Sequence, residues 1–269
     1  MIQVISVPGK ILLGHILSRF GNHTLPGLFA VSTLLIANMA YAGKLFTETG
    51  SLASVFPPEQ AKALASILPA DRGVSWKIYV PEKSKNNGVL VYVSPTPSGE
   101  PDSGWLEVFE DKNLIWIAAE GFGNTEPSAQ RVLVAHMGLV KVQQSFPVDY
   151  SRIYIAGMSG GGRIASIAAT TFPRMFTGAI YIVGADFWKE KDKPLVNLIS
   201  SNRYVFITGD RDFNRQEIRQ VFKKYVKAGA GQALLMDLNG YGHHNPDAEQ
   251  LSTALEFLDG PELPVEQNP

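Results

Sequence analysis

From Trp76 onward, short runs of apolar and β-branched residues alternate with stretches whose apolar positions recur every three or four residues. Runs of the first kind predict strands at Trp76–Val80, Val89–Val93, Leu114–Ala118, Arg152–Ala156, Ala179–Val183, Tyr204–Thr208 and Leu234–Leu238. Most are nearly continuous in apolar character, as strands covered on both faces are. Between them, Ala129, Leu133, Met137 and Val140 form one helical stripe, and Ile218, Val221, Phe222 and Tyr225 form another. The second stripe follows Asn214 and Glu217 at capping-box spacing. A last helix is expected over about 246–258, with Leu251, Ala254, Leu255 and Leu258 toward the sheet. Strand and helix in alternation predict an α/β fold: a mostly parallel central sheet, right-handed crossovers, and helices on both faces. The link from Gly184 to Arg203 is too short for a large cap domain.

The ends of the chain read differently. Residues 1–42 carry Lys10 and Arg19 and no acid, then the apolar run 28–37, and close on Ala40-Tyr41-Ala42. A cationic region, a short apolar core and small residues at the −3 and −1 positions predict a secretory signal peptide cleaved after Ala42. The alternative is an uncleaved anchor, although the apolar run is shorter than the ~20 residues a spanning helix needs. A secreted or periplasmic protein with no stable membrane insertion after cleavage is expected. Its catalytic domain would cover 43–260, followed by a disordered tail, 261–269, rich in Pro and Glu.

Composition removes several function classes. With a formal net charge of −1 and no basic run, the chain lacks the surplus needed to neutralise phosphates, so nucleic acid is not an expected partner. Absence of cysteine removes disulfides, thiolate nucleophiles and sulfur-bound zinc. Neither a cofactor nor a metal is expected.

The chemistry concentrates in three loops. Ile153-Tyr154-Ile155-Ala156 runs into Gly157-Met158-Ser159-Gly160-Gly161 and then into Ile164, Ala165, Ile167 and Ala168 at helical spacing. A serine in a glycine-flanked turn between a buried strand and a helix is a nucleophile elbow, and the helix N-terminus faces the developing negative charge. The loop lacks the Gly-Lys-Ser/Thr ending of a phosphate cradle. Serine needs a base, and the base needs an orienting carboxylate. Of the histidines beyond residue 42, only His243 and His244 follow Ser159, both in the loop leaving the last predicted strand. His136 lies on a predicted helix and reads as a packing or surface histidine. His243 is favoured over His244 because Gly242 precedes it and Pro246 follows, so the loop can project an imidazole. Asp212 is the favoured acid, with Asp210 next and Asp186 third.

Two further sets complete the expected site. Gly160 N–H and an N–H after Val93 would form an oxyanion hole, and in Ser94-Pro95-Thr96-Pro97 the prolines have no N–H, leaving Thr96. Trp105, Phe122 and Trp188 follow predicted strands on the same edge and could line an apolar substrate pocket or be partly buried surface aromatics.

The segments Gly157–Gly161, Gly209–Asp212 and Gly242-His243-His244-Asn245-Pro246, together with Phe172–Ala179, resemble α/β-hydrolase esterases related to poly(3-hydroxybutyrate) depolymerases and feruloyl esterases. The resemblance spans about 76–258. It implies an α/β-hydrolase fold, a Ser159–Asp212–His243 triad with Thr96 and Gly160 as oxyanion donors, and hydrolysis of a small-molecule or polymeric carboxylic ester through an acyl-enzyme. Two departures stand out: Ser94-Pro95 replaces the His-Gly common in those relatives, and their structural cysteines are missing. A peptidase or acyltransferase of the same fold, or a non-catalytic binding protein retaining it, are the competing expectations.

Overall fold

The computed structural model describes residues 43–82, 86–187 and 199–260. The predicted signal segment, the tail 261–269 and Trp188 lie outside the described residues.

Among the described residues, eight strands form one sheet: β1 (Lys44–Gly50), β2 (Val74–Val80), β3 (Asn87–Val93), β4 (Leu114–Glu120), β5 (Val148–Met158), β6 (Gly178–Ile182), β7 (Arg203–Gly209) and β8 (Gln232–Leu238). Their order is β1-β2-β4-β3-β5-β6-β7-β8. β2 runs antiparallel to both β1 and β4, and every other pairing is parallel. The helices are α1 (Leu52–Val55), α2 (Pro58–Leu64), α3 (Trp105–Lys112), α4 (Ser128–Ser145), α5 (Gly160–Thr171), α6 (Arg215–Lys227) and α7 (Ala248–Asp259). All seven predicted strands and the two predicted helical stripes fall on elements of the expected type.

Successive strand side chains point to opposite faces, so each central strand supplies two cores. Val89 and Val91 of β3 belong to one core with Leu133 and Met137 of α4, Ile164 and Ala165 of α5, and Ile218 of α6. Leu90 and Tyr92 of the same strand join Trp105 and Phe109 of α3 and Leu251, Ala254, Leu255 and Leu258 of α7 on the opposite face. This two-sided burial is why β3 and β5 to β7 carry near-continuous apolar runs.

The α6 start differs from expectation. Asn214 is the N-cap residue, but its side chain makes no capping bond. Its Nδ2 donates instead to Val183 O (2.9 Å), and Glu217 pairs with Arg163. Both side chains are drawn off by the neighbouring loop and by α5, so the capping box is not formed. A complete capping box does open α7, where Asp247 Oδ1 accepts from Gln250 N–H (2.8 Å) and Gln250 Oε1 accepts from Asp247 N–H (3.1 Å).

The register sets the function-bearing edge. Val93 lies opposite Gly157, Met158 opposite Ile182, and Gly209 opposite Leu238. The parallel strands β3, β5, β6, β7 and β8 therefore end together, and the loops leaving them meet at one rim.

Candidate active site

Ser159 sits between β5 and α5 with φ 52° and ψ −118°, a left-handed conformation that a residue with a side chain adopts at a cost of roughly 1–3 kcal/mol. The turn closes this tightly because α5 starts directly against the end of β3: a Cβ on Gly161 would collide with the Val93 carbonyl oxygen. Ser159 N–H donates to Ile182 O (2.8 Å), which ties the elbow to β6 as well.

Asp212 lies in the turn after β7, and its side chain is fully buried. Its Oδ2 accepts from Thr208 Oγ1–H (2.7 Å), while Oδ1 accepts from Asn214 N–H (3.0 Å) and contacts His243 Nδ1 at 2.8 Å. An ionised carboxylate only accepts, so the proton of that last contact belongs to Nδ1. Nε2 is then the acceptor, and it stands 2.9 Å from Ser159 Oγ. Hydrogen bonds thus connect acid, imidazole and hydroxyl in sequence.

The loop carrying the imidazole is pinned along its length. Tyr92 Oη donates to Asn245 Oδ1 (2.8 Å), Tyr241 Oη to His244 O (2.7 Å), and Trp105 Nε1 to Pro246 O (2.9 Å). His244 takes no part in the hydrogen-bonded series. Its ring packs edge-on against Tyr241 (4.3 Å between centroids), its Nε2 accepts from Gly242 N–H (3.3 Å), and its Nδ1 lies 2.7 Å from Asn245 O. Asp210 accepts from Gly240 N–H (2.6 Å), and Asp186 pairs with Arg163 (3.4 Å), so neither carboxylate is drawn to the imidazole. His136 is buried between the rings of Phe56 and Phe172, where desolvation pushes its pKa down to about 4.

Trp105 requires a correction, because its side chain is only 1% exposed and lies in the core. Phe122 is buried too, but it lines a small cavity together with Val93, Ser94 and Arg131. Trp105 packs into an aromatic cluster with Tyr92, Phe109 and Trp116, because α3 folds back over the sheet. Phe122 lies beneath the Arg72 guanidinium, 4.7 Å from its ring centroid, and its carbonyl accepts from Arg131. Thr96 is exposed, and its N–H is directed at Ser94 Oγ (3.2 Å). Gly160 N–H falls in the first turn of α5, where no intrahelical acceptor exists.

Two residues near the site carry only weak sequence signals. Phe213 is 78% exposed and stacks on the His243 ring, with centroids 4.0 Å apart. Its only cue was a large apolar side chain beside the candidate acid. Arg131 is buried in the first turn of α4, and an arginine amid a helix's buried positions was the cue.

The comparisons with known proteins bear on the fold. A hyperthermophilic esterase from Pyrobaculum calidifontis superposes with TM-score 0.58 over 96% of this chain and 99% of its own, at 12% identity. The chain has the α/β-hydrolase fold. A ferulic acid esterase matches with TM-score 0.55 at 16% identity, over 81% of this chain and 98% of that one. A putative dipeptidyl aminopeptidase IV from Bacteroides ovatus matches with TM-score 0.55 at 17% identity, over 80% of this chain and 36% of that one. The chain matches no protein-family model and no curated protein sequence. Among the described residues, no helix is long and apolar enough to cross a membrane, and no group of three or more His, Asp or Glu could hold a metal ion.

Proposed function

We propose that this protein is a serine hydrolase that cleaves carboxylic esters through an acyl-enzyme. The observation that carries the reading is the unbroken series from buried Asp212 through His243 to the strained Ser159. His243 Nε2 removes the Ser159 hydroxyl proton as Oγ attacks the ester carbonyl. The C=O electrons move onto oxygen, and the resulting oxyanion is held by Gly160 N–H and Thr96 N–H, the latter turning from Ser94 Oγ. Collapse breaks the bond to the alcohol oxygen, which takes the proton from Nε2. Water then attacks the acyl-serine by the same steps and releases the acid. Asp212 remains ionised throughout and stabilises the imidazolium that forms twice per turnover.

Turnover of short-chain aryl esters by the purified protein, abolished by Ser159→Ala, is the expected result. Undiminished turnover by that variant would remove the proposal. The fold shared with a putative dipeptidyl aminopeptidase favours one second reading, a peptidase. A panel of matched esters and peptide amides separates the two, with esters turned over faster under our reading. Residues 1–42 support secretion or a periplasmic location, tested by N-terminal sequencing of protein recovered from outside the cytoplasm, expected to begin at Gly43.

A further inference from the structure

Arg131 is a buried cation whose charge no acid balances among the described residues. It is 5% exposed, and the described partners of its guanidinium are neutral acceptors. Nε donates to Phe122 O (3.1 Å), Nη2 to Ser94 O (2.8 Å), and Nη1 to Asn124 Oδ1 (3.2 Å), with Gly160 O a long contact at 3.5 Å. The acid nearest to it in sequence, Glu126, pairs with Arg72 instead. Arg131 also lies in the first turn of α4, where the helix dipole disfavours a positive charge. Burying an arginine without an acid, at the positive end of a helix, opposes stability. A neutral side chain would suit packing better, so the position calls for another explanation.

Its contacts supply one. Ser94 begins the loop expected to carry the second oxyanion donor, Phe122 and Asn124 belong to the loop after β4, and Gly160 follows the nucleophile. Asn124 extends the clamp, because its N–H donates to Pro95 O (2.8 Å) and its Oδ1 occupies the space a Cβ on Gly160 would fill. Ser94 and Pro95, the two residues that set the direction of Thr96 N–H, are thereby held through their carbonyls.

We propose that Arg131 is a positioning residue of the oxyanion site: it fixes the Ser94–Thr96 loop against Gly160 and adds an uncompensated positive charge behind the developing oxyanion. The inference rests on the reading of Ser159 as nucleophile. Both effects act on the tetrahedral intermediate more than on bound ester, so they belong in kcat rather than KM.

The test compares wild type, Arg131→Met and Arg131→Lys as full chains, with rates normalised to sites titrated by a fluorophosphonate so that unfolded protein does not count. The measurements are kcat and KM on a short-chain aryl ester and Ki for an aryl trifluoromethyl ketone, which adds serine to form a tetrahedral oxyanion. For Arg131→Met, kcat should fall about 10- to 100-fold with KM within about threefold, and Ki should rise by a similar factor as kcat falls. Lysine keeps the charge and loses the fork, so Arg131→Lys should recover part of both. Wild-type kcat per titrated site in Arg131→Met, or a loss of kcat with unchanged Ki, would overturn the inference. If the methionine variant does not fold, Arg131→Lys decides by the same pair of readouts, and wild-type values for both reject the clamp. Wild-type protein with neither ester turnover nor phosphonate adduct would overturn the serine reading and this inference together, whereas an active wild type with unaffected variants overturns this inference alone.

Discussion

Asp212→Asn isolates the charge of the acid from its geometry. Oδ1 receives two N–H donors, from Asn214 and His243, while Oδ2 receives only the Thr208 hydroxyl. An asparagine can place its carbonyl oxygen at Oδ1 and its NH2 toward Thr208 Oγ, which rotates to accept. All three contacts survive in form, so the fold should be retained. What disappears is the attraction between carboxylate and imidazolium once Nε2 has taken the serine proton. At a charge separation of about 4 Å and an effective dielectric near 20, that attraction is about 4 kcal/mol, or roughly 1000-fold in rate. The assay is kcat/KM for an aryl ester near neutral pH, alongside thermal unfolding. The expected result is a loss of about three orders of magnitude with Tm within a few degrees of wild type. Asp186→Asn, changed at a carboxylate paired with Arg163, should stay within about threefold of wild type. Activity of Asp212→Asn within tenfold of wild type, or equal damage by Asp186→Asn, would refute the assignment of the acid.

Further expectations follow from other contacts. His136 has a folded-state pKa near 4 against an ordinary 6.5, so the unfolded chain binds the extra proton first. Stability is complete above about pH 6.5 and falls by roughly 3 kcal/mol as pH drops toward 4, and urea unfolding of His136→Phe should show a correspondingly flatter slope over that range. Gly161→Ala drives a Cβ into the Val93 carbonyl, which cannot move without shifting β3. That variant should lose about 3 kcal/mol or more and most of its activity, and a wild-type melting curve would contradict the packing described. Phe213→Ala removes an exposed ring stacked on His243, so Tm should be little changed while kcat/KM for apolar esters falls about two- to tenfold.

The chain discloses its parallel strands because burial on both faces leaves little room for polar residues in β3, β5, β6 and β7. Edge structure is harder to read. In β1, Lys44–Gly50, every residue is exposed or half-buried, so no apolar run marks it. The eight residues of α3 are too few for a helical period to stand out, although Trp105, Val108 and Phe109 are its buried face. Within the site, chain order brought Ser159, Asp212 and His243 forward as candidates. What separates His243 from His244 in space is the packing of His244 against Tyr241, a contact that depends on the folded loop. Trp105 illustrates the opposite error: an aromatic after a strand can as easily pin a loop from beneath as face a substrate. Arg131 eluded the sequence because its partners, apart from Asn124 Oδ1, are backbone carbonyls, which every residue possesses and no motif records.

The central claim is that Ser159 is a nucleophile activated through His243. Intact mass spectrometry after exposure to a fluorophosphonate, followed by peptide mapping, tests it most directly. The account predicts one adduct per folded chain, located on Ser159, absent in Ser159→Ala and formed at least about 100-fold more slowly in His243→Ala. An unlabelled wild-type protein, an adduct on another residue, or equal labelling rates with and without His243 would contradict it.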